Sequence, residues 1–172
     1  MVFLGGGSSL GTSVETAELA DGAVTDAKLA SGLNGTGHIF CFAYFYDSVI
    51  AGTWVDDANT SHFGDHVLRN NVAAQNDEIR WKAYLAKGTY VIKAMFRKDT
   101  SMGIMTFQID DVAVGTIDGY AASAQENQTG SITAISVTDS GLKNIDIKMA
   151  TKNASASTYG CFLTGFVIYR SA

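Results

Sequence analysis

The chain has 172 residues, of which 47% are hydrophobic, 17% charged and 10% aromatic, with a net charge of −5; that length supports one sizeable core plus an appendage and leaves two full domains short of residues. No Lys/Arg cluster supplies the basic footprint that a phosphate backbone demands, which excludes nucleic acid as a partner. No run approaches the roughly 20 apolar residues of a membrane span, and Met1-Val2-Phe3-Leu4 passes straight into Gly5-Gly6-Gly7-Ser8-Ser9 without the basic start or apolar length of a secretory signal.

Residues 1–36 are dominated by Gly, Ser, Ala and Thr and hold no aromatic residue after Phe3. Such a segment buries too little apolar area to fold alone. Its second part, VETAELADGAVTDAKLASG, nearly repeats at an offset of ten: Val14 matches Val24, Ala17 matches Ala27, Leu19 matches Leu29, Ala20 matches Ala30 and Gly22 matches Gly32. Each copy predicts a short helix, Glu15 to Ala20 and Thr25 to Ala30, ended by a glycine able to take the left-handed conformation. Helices this short are unstable singly in water, so they need partners. Gathered around an axis, Val14, Leu19, Val24 and Leu29 supply a narrow apolar seam while Ala17 and Ala27 permit close approach. The expected organisation is a flexible anchoring peptide over 1–13, a stalk over 14–36 and a globular domain over 37–172.

From His38 the pattern changes to strands. Glu78 to Leu85 alternates cleanly, with Ile79, Trp81, Ala83 and Leu85 on one face and Glu78, Arg80 and Lys82 on the other. Ala86-Lys87-Gly88 then turns the chain into a second alternating run in which Tyr90, Ile92, Ala94 and Phe96 share a face. Further strands are expected at Gly103 to Asp110, Val112 to Ile117, Ser131 to Val137, Leu142 to Thr151 and Thr158 to Arg170. With no helical periodicity after residue 36, the prediction is an all-β antiparallel sandwich, a jelly roll of about eight to ten strands.

The first and last strands are apolar at both parities: His38 to Tyr46 on one side, and Tyr159, Cys161, Leu163 and Val167 against Phe162, Phe166 and Ile168 on the other. A two-sided apolar strand must be covered on both faces. As sheet neighbours in a jelly roll, these strands would leave Phe40, Phe42, Tyr44, Phe162 and Phe166 on an apolar face that a monomer cannot cover, which predicts a homo-oligomer packed through that sheet.

Signals for chemistry are sparse. His62-Phe-Gly-Asp65-His66 is the one cluster of metal-capable side chains in the sequence, but Gly64 interrupts it and its surroundings (DDANTSHFGDHVLRNN) read as loop, so structural or exposed histidines are expected rather than a metal site. Asp110-Asp111 reads as a turn, and Asp118 has no evident carboxylate partner. Cys41 and Cys161 read as small buried hydrophobes. No catalytic residue, metal or cofactor is expected, and the chain is read as non-enzymatic. Trp54 and Tyr120, near strand ends, are the candidate stacking platforms for a sugar ring.

LADGAVTDAKLASG resembles the [A/D]-G-[A/S]-V-T-x-x-K-L repeats of bacteriophage tail-fibre and head-fibre proteins, in which copies from three chains usually wrap together. The runs from Trp81 to Tyr120 and from Gly141 to Arg170 resemble jelly-roll modules of phage fibres and carbohydrate-binding proteins. The resemblance implies a homotrimeric virion protein made in the host cytoplasm, anchored to the capsid or another virion protein through Met1, Val2, Phe3 and Leu4, with a jelly roll projecting outward to meet host-surface glycans. Two decads make a short pedestal, which points to a head fibre or capsid decoration protein; a tail-fibre receptor-binding protein is the alternative.

Overall fold

The computed structural model describes residues 38–58 and 61–171. The anchoring residues Met1 to Leu4 and the stalk residues Val14, Ala17, Leu19, Val24, Ala27 and Leu29 lie outside the described residues.

Eleven strands are described: β1 (His38–Phe42), β2 (Ser48–Ala51), β3 (Trp54–Ala58), β4 (His66–Asn70), β5 (Glu78–Leu85), β6 (Gly88–Lys98), β7 (Ile104–Ile109), β8 (Val112–Asp118), β9 (Gln125–Val137), β10 (Gly141–Thr151) and β11 (Phe162–Arg170). They form two antiparallel sheets packed as a jelly-roll sandwich. One sheet runs β3-β4-β11-β6-β9, with β1 also paired to β11; the other runs β2-β5-β10-β7-β8. The first and last strands are neighbours, as the sequence pattern predicts, with His38 opposite Tyr169 and Phe42 opposite Gly165.

The alternating runs deliver the core. Ile79, Trp81, Ala83 and Leu85 face inward from β5, and Tyr90, Ile92, Ala94 and Phe96 face inward from β6. The sheets converge along β8 and β9 through reciprocal small-large contacts. A Cβ on Gly115 would lie 2.5 Å from the Ile132 side chain, and one on Gly130 would lie 2.7 Å from that of Ile117, so bare backbone is what lets each isoleucine seat.

Three features depart from the sequence expectation. The stretch read as loop contains β3 and β4, whose charges are compensated by diagonal cross-strand pairs: Asp57 with Arg69 at 2.8 Å and Asp56 with His66 at 3.1 Å. A single strand's text cannot show that compensation. β9 starts at Gln125 rather than Ser131, because its polar first half forms the margin of a sheet and needs no buried face. β11 carries a bulge between Leu163 and Gly165, which resets the alternation. Leu163 and Phe166 consequently both face the core. Phe166, expected on the exposed oligomer face, is 4% exposed and stands edge-on to Trp81 and Phe107 with ring centroids 5.1 and 5.6 Å away.

Candidate functional site

The two outer faces of the sandwich differ in kind. That of the β2-containing sheet is charged: Arg80 clamps the wholly buried Asp146 through two hydrogen bonds of 2.6 and 2.7 Å and reaches Asp111 at 2.7 Å, while Lys148 meets Glu78 at 2.8 Å. The hydrogen bonds that Arg80 donates to Asp146 push its guanidinium further up from its already high pKa. Glu78, Asp111 and Asp146 bring carboxylate oxygens within 4.8 Å of one another, a spacing that could hold a cation. Arg80 and Lys148 already stand in that cluster and supply its compensating charge.

Around β1 and the adjoining parts of β11 and β6, the outer face of the β1-containing sheet is mostly apolar and forms a groove. Register places two rows side by side across four strands: Phe40, Val167, Lys93 and Ser131 in one, and Phe42, Gly165, Met95 and Thr129 in the next. Above them lies a cavity of about 210 Å³ whose lining includes Phe40, Phe42, Tyr44, Phe63, Lys93 and Met95. One wall is an aromatic ridge formed by β1 and the turn after it. Phe42 stacks on Tyr44 at 5.8 Å, Tyr44 leans on Phe45 at 4.6 Å, and Tyr44 also meets the His66 ring at 5.6 Å. The buried Trp81 fixes this ridge from below by donating its indole N–H to the Phe42 carbonyl at 3.2 Å, and the Ala43 N–H donates to the Thr164 carbonyl at 3.2 Å.

The opposite wall is the segment leading into β4, which presents Phe63 and Gly64. Asn127 of β9 holds it: the Phe63 N–H donates to the Asn127 Oδ1 at 2.9 Å and the Asn127 Nδ2 donates to the Ser61 carbonyl at 3.0 Å. Asn127 has φ +53°, a left-handed geometry asparagine tolerates better than most residues. Beneath the segment, His62 is buried, with Nε2 3.0 Å from the Glu126 carboxylate and Nδ1 3.4 Å from the Thr164 hydroxyl. The Glu126 contact lacks hydrogen-bond alignment, and burial lowers the His62 pKa despite the nearby carboxylate, with Arg97 adding to the lowering. The histidine packs beneath the wall between Glu126 and Thr164.

The structure brings together Phe40, Phe42 and Tyr44, which the sequence pattern singled out, and adds Phe45 and Phe63, both about 70% exposed at 70% and 68%. Phe162 lies outside this group, half-buried, with the Arg69 and Arg97 guanidiniums 5.9 and 5.4 Å from its ring centre. Trp54, expected as a sugar platform, is 6% exposed in the core and donates its indole N–H to the Ala51 carbonyl at 3.0 Å, so it offers no ring face to a ligand. Tyr120 is half-buried in a loop beyond β8, bridged to Asp99, and does not line the groove. Phe63 was missed because its local text is loop-like; only Asn127, 64 residues away in sequence, gives it a place.

The carboxylates that the sequence offered for acid-base work have other partners. Asp110 and Asp111 form a two-residue hairpin turn at φ +49° and +65°, with Asp110 accepting the Asn144 N–H, and Asp118 accepts from the Tyr120 N–H and from Asn153. Both cysteine thiols are buried and pushed up to about 12 by desolvation.

No protein-family model and no curated protein matches the chain. Among solved structures, a Paenibacillus xanthan lyase aligns over 77% of this chain at 23% identity with a TM-score of 0.65, although the chain spans only 13% of that enzyme's length. A family 36 carbohydrate-binding module of a multidomain xylanase from the hindgut metagenome of Trinervitermes trinervoides aligns over 78% of this chain and 98% of its own, at 13% identity and a TM-score of 0.60. A family 6 carbohydrate-binding module from Clostridium cellulolyticum, solved with xylose, aligns over 74% and 94% at 13% identity and a TM-score of 0.54. At these identities the likeness establishes the fold: a jelly-roll β-sandwich of the kind found in carbohydrate-binding modules.

Proposed function

We propose that the chain is a non-catalytic structural protein of a phage particle whose jelly roll binds glycans in the groove between the β1 aromatic ridge and Phe63. The observation that carries the binding role is that groove: exposed ring faces on both walls, a shallow floor at Gly165, and a rigid β-sheet beneath. The neighbours' fold supports it, since one of them was solved with xylose bound. The particle role rests on the ADGAVTDAKLA repeat, with Val14, Leu19, Val24 and Leu29 forming the trimer seam and Met1 to Leu4 the anchor. The test is a glycan array followed by calorimetry on the full-length protein. Phe42→Ala and Phe63→Ala should each weaken the best ligand about tenfold, the loss of roughly 1.4 kcal/mol. Unchanged affinity in both variants would place binding elsewhere. Deleting residues 1–13 should leave a soluble oligomer that electron microscopy no longer finds on particles.

A second reading makes the β1 ridge a contact between protomers. It is favoured by position: only five residues, Leu33 to Gly37, separate the decads ending at Gly32 from β1, so a three-fold stalk would bring three β1 strands toward its axis. Phe45→Glu in the full-length chain tests it, because a protomer contact would show as a smaller mass in light scattering and a glycan wall would not.

A further inference from the structure

Among the described residues, the groove's one charged lining residue is a cation. Lys93 projects from the middle of the floor, in the row Phe40, Val167, Lys93, Ser131. It is exposed and has no hydrogen bond or ion pair to any described residue. The contrast with the other sheet is sharp: there Lys82 meets Asp47, Lys143 meets Asp110, Lys148 meets Glu78 and Arg80 meets Asp146. This protein has more carboxylates than cations, 17 against 12, and on the β2-containing sheet each strand lysine, Lys82, Lys143 and Lys148, has a carboxylate partner. In the groove it places a lone ammonium among apolar side chains instead.

We infer that the groove selects a carboxylate-bearing sugar, such as a uronate, with Lys93 as the specificity-determining residue. The inference rests on the glycan reading above. Lys93 stands two strands from Phe40, roughly 10 Å at the usual strand spacing. A sugar ring stacked against the ridge therefore has its far substituents directed toward the ammonium. A neutral sugar would find few polar partners there, the hydroxyls of Thr129 and Tyr44 and the ammonium itself, since Thr164 is buried and faces His62. A carboxylate would instead form a charge-assisted hydrogen bond in surroundings of low polarity, where such bonds are strongest. Charge complementarity thus names the ligand class that ring stacking alone leaves open.

The test uses the full-length protein and glucuronate- and mannuronate-containing oligosaccharides, each compared with its carboxyl-reduced, neutral counterpart by calorimetry. Wild type should bind an acidic form about tenfold more tightly than its reduced counterpart at low salt. Lys93→Gln should bring the two to within about twofold, Lys93→Arg should keep most of the gap, and about 1 M salt should close it in the wild type. Equal affinity for the acidic and reduced forms would overturn the inference while leaving the glycan reading intact. Binding of neither form, with Phe42→Ala also silent on the array, would overturn both. A Lys93→Gln variant that changed the oligomer mass without changing sugar binding would overturn the inference too and give Lys93 a carboxylate of a second copy as its partner.

Discussion

Asn127 and Phe63, 64 residues apart, are joined by a 2.9 Å hydrogen bond from the Phe63 N–H to the Asn127 Oδ1, and Asn127 returns a bond from its Nδ2 to the Ser61 carbonyl at 3.0 Å. Through that exchange a polar residue of the marginal strand β9 sets the position of an exposed aromatic ring across the sheet. Asn127→Ala should remove both bonds, worth about 1 kcal/mol each at most for groups this exposed, and should add strain from the positive φ. Asn127→Gly relieves the strain and isolates the lost bonds. Denaturant titration should rank wild type above Asn127→Gly and Asn127→Gly above Asn127→Ala, and sugar affinity should fall in both variants. Equal stability of the two would show that the backbone geometry costs nothing.

Stability should fall with acid through His62. Burial lowers its pKa from the ordinary 6.5, with Glu126 opposing and Arg97 assisting. The folded state thus favours the neutral ring, and the contribution is complete above 6.5. As the pH drops below that value the unfolded chain takes up the proton first, and stability is lost until the lowered folded pKa is passed. Chemical denaturation across this range should show the loss, and His62→Gln should flatten it. An unchanged slope in that variant would assign the acid sensitivity to other groups.

The bulge in β11 separates two phenylalanines that the sequence pattern placed with the same face. Phe166→Ala removes a core ring packed on Trp81 and Phe107 and should cost about 3–5 kcal/mol in a thermal or denaturant melt. Phe40→Ala removes a ring that is 67% exposed and should cost well under about 1 kcal/mol. Binding should respond in the reverse order. A large stability loss at Phe40 in a melt whose midpoint rises with protein concentration would favour the protomer-contact reading.

Arg80 and Asp146 should be strongly coupled. Asp146 is wholly buried, so Arg80→Leu leaves a carboxylate without its counter-charge and should cost about 3–5 kcal/mol. The double variant Arg80→Leu/Asp146→Leu should recover much of that loss, because the buried charge is gone along with its partner. A double-mutant cycle on denaturant data measures the coupling, and additive losses would mean Asp111 and Lys148 carry the network alone.

Cys41 and Cys161 should resist thiol reagents in the native protein, since burial holds both thiols up at about 12 and out of solvent. Ellman's reagent should label neither at neutral pH and both after denaturation. Rapid labelling of Cys41 in the native state would reveal that β1 opens from the sheet edge.

The sequence by itself determined the all-β class, the core faces of β5 and β6 and the two-sided character of β1. All of these follow from local periodicity: alternation at period two states which side chains share a face, and apolarity at both parities states that both faces want cover. Tertiary structure alone decided which aromatic residues reach the surface. A one-residue bulge after Leu163 sent Phe166 inward, and no alternation count can register a bulge that is fixed by pairing with β6. Strand pairing likewise turned the acidic text of β3 into a strand through Arg69 and His66, buried Trp54, and gave Phe63 its place through Asn127. The isolated position of Lys93 is of the same kind. Its text, an alternating lysine on an amphipathic strand, matches that of Lys82 on β5; only the arrangement of sheets gives one a carboxylate partner and sets the other in an aromatic-walled groove, because register across strands is a long-range property that neighbouring residues do not encode.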